Sequence, residues 1–136
     1  MFTTPCYVNK NSELIINFLE RLGYKKSKTI IDQYENLCCF TDDNGESFYA
    51  NCDNFDVAGL LSKQKVINCA HNLYLFYALV VLRDDSDYKQ WFTDGYHWEK
   101  CPEEKADLDS WKSYYKTTPH KASVEELVEY FTNLLK

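Results

Sequence analysis

The 136-residue chain predicts an α+β fold, and three observations carry that reading. An amphipathic helical stripe opens the chain, extended runs around an Asn-Gly turn follow it, and apolar helical stretches occupy the second half. Strands do not alternate with helices, and neither repeats nor a linker divide the sequence, so residues 1–136 read as a single domain. The expected architecture is a small antiparallel sheet of three to five strands. It packs against an N-terminal helix, a central buried helix and a C-terminal amphipathic helix.

Leu14, Ile15, Phe18, Leu19 and Leu22 form one stripe of a 3.6-residue repeat, which predicts a helix over residues 12–22. Gly23 supplies the left-handed residue that ends it, and Lys25, Lys26 and Lys28 complement its carbonyl end. "NLCCFT" and "ESFYANC" then flank "DDNG", the strongest short hairpin signal in the chain. Strand alternation puts Leu37, Cys39 and Thr41 on one face and groups Phe48, Ala50 and Cys52 on another. "TIID" and "KQKVIN" are further strand candidates, and "DVAGLL" is open between helix and strand.

Ten apolar residues run without a break from Leu73 to Leu82. A membrane span takes roughly 20, so the run reads as a helix buried on nearly all faces, from about Cys69 to Arg83, with Asn68 as N-cap. Asp84, Asp85, Ser86 and Asp87 interrupt it. Ser86 is read as the cap of a second short helix bearing Tyr88, Trp91 and Phe92, ended by Gly95. Asp85 and Asp87 then complement that helix's N-terminus. "YHWEKCP" reads as one more strand, and residues 103–119 as weakly patterned and partly irregular. Ser123 and Glu126 form a capping box ahead of the stripe Val124, Leu127, Val128, Phe131, Leu134 and Leu135.

Acidic residues number 21 against 15 basic ones, for a net charge of -6, and no basic stripe is present to track phosphates. The N-terminus lacks the basic-then-apolar order of a secretory signal, so the expectation is a cytoplasmic protein, off the membrane, with its six cysteines reduced. A disulfide framework is the other reading. Adjacent Cys38 and Cys39 speak against it, because neighbours in a strand point to opposite faces.

Chemistry-bearing patterns are sparse. Cys69-x-His71 and His97-x3-Cys101, with Cys38, Cys39 or Cys52, fall short of zinc-knuckle spacing. Asp84, Asp85 and Asp87 lack the spacing of a calcium loop. No phosphate-cradling glycine loop and no nucleophile elbow occurs, so neither cofactor nor metal is expected. A thiol enzyme would use Cys69 at a helix N-terminus, with His71, His97 or His120 as base. Aromatic residues make up 16% of the chain. Rings of this kind act as anchors at interfaces, which marks Asp84, Asp85, Asp87, Tyr88, Trp91, Tyr96 and Trp98 as a binding surface for another protein.

In "NLYLFYALVVLRDDSDYKQWFTDG" and "KASVEELVEYF" the chain resembles small uncharacterised proteins carried by bacteriophages and mobile elements of gut anaerobes. That resemblance implies an accessory, regulatory protein and assigns no functional residue. The reading is therefore a non-enzymatic protein-binding module. The alternative is a small thiol- or metal-dependent enzyme using Cys69 with His71 or His97.

Overall fold

The Asp42–Glu46 turn closes the hairpin around which the chain is organised. In a computed structural model describing residues 2–27 and 36–135, β3 (Asn36–Thr41) and β4 (Ser47–Cys52) pair antiparallel, with Thr41 opposite Ser47. The Asp42 carboxylate accepts from the backbone N–H groups of Asn44 and Glu46, and Gly45 takes the positive φ of 81° that the turn demands. β1 (Cys6–Val8) pairs antiparallel with the other side of β3.

The sheet grows outward in a different sense from the one expected. α1 (Glu13–Leu22) carries the chain from β1 to β2 (Lys25–Lys26), which lies parallel to β4. α2 (Phe55–Ser62) carries it from β4 to β5 (Ile67–Asn68), which lies parallel to β1. The five-stranded sheet, ordered β2-β4-β3-β1-β5, is therefore mixed rather than purely antiparallel. A helical crossover returns the chain running in its original direction, so among the described residues both outermost pairs are parallel. "DVAGLL" resolves as helix because Asn54 caps it, accepting from the Val57 N–H at 3.0 Å. "TIID" lies outside the described residues, and "KQKVIN" contributes only the two residues of β5.

Both faces of this sheet are covered. Cys6, Val8, Leu37, Cys39 and Tyr49 face the main core beneath α1, while Tyr7, Cys38, Ala50 and Cys52 face a smaller core under α2. Cys38 and Cys39 do point to opposite sides, and every cysteine is a buried free thiol.

The apolar run places α3 at Leu73–Val80, shorter than the sequence suggested. Asn72 is its N-cap, accepting from the Leu75 N–H, while Asn68 closes the preceding turn by accepting from Ala70. Phe76, Leu79 and Val80 are fully buried, yet Tyr74 is 70% exposed, so one face of the helix meets solvent. α5 (Val124–Leu134) forms as expected, with both halves of the Ser123–Glu126 capping box made. The Asn72 side-chain amide donates to the Phe131 carbonyl and joins α3 to α5.

The predicted short helix after Ser86 is instead a turn and a strand. Ser86 Oγ accepts from the Tyr88 N–H, and a turn from Asp87 to Gln90 places Lys89 at φ 61°. β6 (Trp91–Thr93) then pairs antiparallel with both β7 (Trp98–Lys100) and β8 (His120–Lys121). Helical spacing of Tyr88, Trp91 and Phe92 misled, because Trp91 and Phe92 face opposite sides of this small sheet. The next segment is partly irregular, as expected, but it holds one helix: Asp107 caps α4 (Leu108–Tyr115), accepting from the Ser110 N–H at 3.0 Å. No helix among the described residues is long and apolar enough to cross a membrane.

Candidate functional site

The three-stranded sheet stands between two helices. On one face Trp91 and Trp98 lean on α5: Trp98 stacks on Tyr130, and Trp91 meets Phe131 edge to face. On the other, Phe92 joins Cys101 and Trp111 in a separate cluster under α4. Beside that cluster, between β7 and α4, lies a groove of about 620 Å³. Phe92, Glu99, Pro102, Leu108, Trp111 and Tyr114 are among its lining residues. It falls within the size range of small-ligand and peptide pockets. Tyr114 is 80% exposed at its edge, and Leu108 is exposed beside it.

The turn joining β6 to β7 is held by a shielded carboxylate. Asp94, whose side chain is 3% exposed, accepts from the backbone N–H groups of Tyr96 and His97, from Thr117 Oγ1 and from the His97 imidazole. The His97 amide and the Thr117 hydroxyl lead in holding the Asp94 carboxyl well below the usual carboxylate range. His97 stacks on Tyr115, ring centroids 4.1 Å apart, and Trp111 Nε1 donates to Thr117. The network ties the hairpin to α4 and so fixes the groove's walls.

The seven residues picked out from the sequence do not form one patch. Asp84 is exposed, and Asp85 makes a forked pair with Arg83. Asp87 accepts from the Ala106 N–H at 2.9 Å and pairs with Lys121 at 3.0 Å. Burial opposes ionisation of Asp87, but the Ala106 amide and Lys121 outweigh it and lower its pKa. Tyr88 is exposed in the Asp87–Gln90 turn, and Tyr96 stands 89% exposed at the hairpin tip. Trp91 and Trp98 are half-buried and face α5, away from α4.

Cys69 precedes α3 by four residues instead of opening it, and its N–H donates to the Tyr7 carbonyl. It is buried in the main core with Cys6 and Cys39. His71 reaches toward Asn9 at 3.5 Å, and His97 belongs to Asp94. Among the described residues no group of three or more His, Cys, Asp or Glu side chains is placed to hold a metal ion.

Leu108 was not singled out in the sequence, and Trp111 and Tyr114, which belong to the same run of aromatic residues, were left out of the expected binding surface. The available signal was Asp107 as a capping residue followed by Leu108, Trp111 and Tyr115 at helical spacing.

Comparison with known proteins yields no relative. No family model matches the chain, and no curated protein or solved structure matches it either.

Proposed function

We propose that the protein is a non-enzymatic protein-binding module, and that the groove between β7 and α4 receives an apolar side chain of a basic partner. Charge placement carries this reading. Residues 84–121, which run through the small sheet and α4, hold nine carboxylates and six lysines, a net of -3, half the net charge of the whole chain. Residues 1–83 carry nine carboxylates against eight basic side chains, so the lobe that contains the groove is more acidic than the part of the chain that precedes it. An acidic field of this kind speeds the approach of an oppositely charged partner, and an aromatic-lined recess supplies the anchor. The burial of Cys69, away from any helix start, speaks against the thiol-enzyme reading. The resemblance to phage and mobile-element proteins supports a regulatory role.

The test is fluorescence anisotropy with a labelled peptide carrying one tryptophan flanked on both sides by lysines, beside the same peptide with glutamates in their place. The lysine peptide is expected to bind saturably, more weakly as salt rises. Tyr114→Ala and Leu108→Ala, both at exposed positions, are expected to weaken it by about tenfold. Equal behaviour of the two peptides would overturn the reading.

A further inference from the structure

A second cavity, of about 250 Å³, opens on the Trp91 side of the small sheet, where α1, α3 and α5 approach β6 and β7. Rings dominate its walls. Phe18 and Tyr77 meet edge to face with centroids 4.8 Å apart, and Trp91 meets Phe131 in the same way at 5.5 Å. Pairing of this kind holds the rings in place before any ligand arrives.

Among the described residues that line the cavity, two lysines are the charged ones. Lys89 Nζ lies 5.1 Å from the centroid of Phe18, and Lys100 Nζ lies 6.0 Å from that of Trp91. Among the described residues neither ammonium makes an ion pair, although the chain carries 21 carboxylates. Lys89 also occupies a backbone position that favours glycine. Its N–H donates to the Cys101 carbonyl, the Cys101 N–H donates to Gln90, and its φ is 61°. This is the left-handed residue of a β-bulge, where glycine is free of strain and a lysine is not. A lysine at this position carries a conformational cost, and its side chain lines the cavity.

We propose that this cavity binds a small planar organic anion of the aryl carboxylate class. The ring lies against Phe18, Tyr77 and Trp91, and the carboxylate meets the ammonium groups of Lys89 and Lys100. Three aromatic walls reward a flat ring over an aliphatic chain. No arginine fork lines the cavity, so the several oxygens of a phosphate would be poorly served there, whereas two point charges suit one carboxylate. The site is independent of the α4 groove. Lys100 borders both cavities, but Lys89 and Phe18 border only this one.

Ligand-observed and amide-shift NMR with indole-3-carboxylate, its uncharged carboxamide and inorganic phosphate tests the proposal. The carboxylate is expected to saturate the protein with a Kd of about 0.1–1 mM, fitting a ligand of about a dozen non-hydrogen atoms. The carboxamide is expected to bind about tenfold more weakly or worse, and phosphate not measurably. Lys89→Gly relieves the left-handed strain, so it should fold at least as well as the parent protein while losing about tenfold in affinity. Lys89→Arg should retain binding. Equal affinity for acid and amide, phosphate binding at the same amides, absence of saturation, or unchanged affinity in folded Lys89→Gly would each overturn the proposal.

Discussion

The indole of Trp98 lies flat against the phenol ring of Tyr130, with ring centroids 4.1 Å apart and planes 14° from parallel. This contact joins the small sheet to α5, and through α5 to the main core. Trp98→Ala should cost roughly 2 kcal/mol of stability, about half of what a fully buried tryptophan costs, because Trp98 is only half-buried. A double-mutant cycle with Tyr130→Ala, measured by urea unfolding, should return a coupling of about 1 kcal/mol.

The Asp94 carboxylate titrates lower in the folded protein than in the unfolded chain, owing first to the His97 amide and then to the Thr117 hydroxyl. A depressed carboxylate contributes its stability above the unfolded value, about pH 4, and loses it progressively as the pH falls below that. Unfolding measured across this acid range should therefore show a steep limb in the parent protein and a shallower one in Asp94→Asn. Thr117→Val should flatten the limb in the same direction and by less.

Helix capping offers a separate measure of the fold. Ser123→Ala removes one half of a complete capping box and should cost about 1 kcal/mol. Asn72→Ala loses both the α3 cap and the amide donated to Phe131, so its cost should be larger, roughly 2 kcal/mol. Thermal or urea unfolding of the two variants side by side checks the order.

The six thiols are buried. Burial pushes the Cys6 and Cys39 thiols up, and Cys38 is raised first by its hydrogen bond with Cys52 and then by burial. An aromatic disulfide reagent should label none of the five thiols in the two cores of the larger sheet within minutes in the native protein, Cys101 beside the groove reacting ahead of them, and all six in guanidinium. Fast labelling of Cys69 would restore the thiol-enzyme reading.

Features encoded by neighbouring residues were legible in the sequence, and features settled by distant partners were not. The Asn44-Gly45 hairpin, Gly23 as helix stop and the Ser123–Glu126 box are each specified within a few residues. Asn68 and Asn72 both precede apolar residues, and the choice between them rests on the reach of Asn72 to Phe131, 59 positions away. Trp91 and Phe92 carry a helical spacing, but pairing with Trp98–Lys100 and the demands of two separate cores made them a strand. Parallel pairing at β2 and β5 leaves no local mark, since it depends on where each helical crossover sets the chain down. The α4 groove was hidden for a related reason. Trp111 becomes part of a wall only once Thr117 and Asp94 have bound α4 to the hairpin.

The binding account stands on where a basic, tryptophan-bearing peptide touches the protein. Amide chemical-shift mapping during its titration gives the most direct answer. The account predicts that shifts concentrate at residues 99–102 and 108–114, on the two walls of the groove. Shifts confined to the outer faces of α1 and α2, or no shifts at saturating peptide, would contradict it.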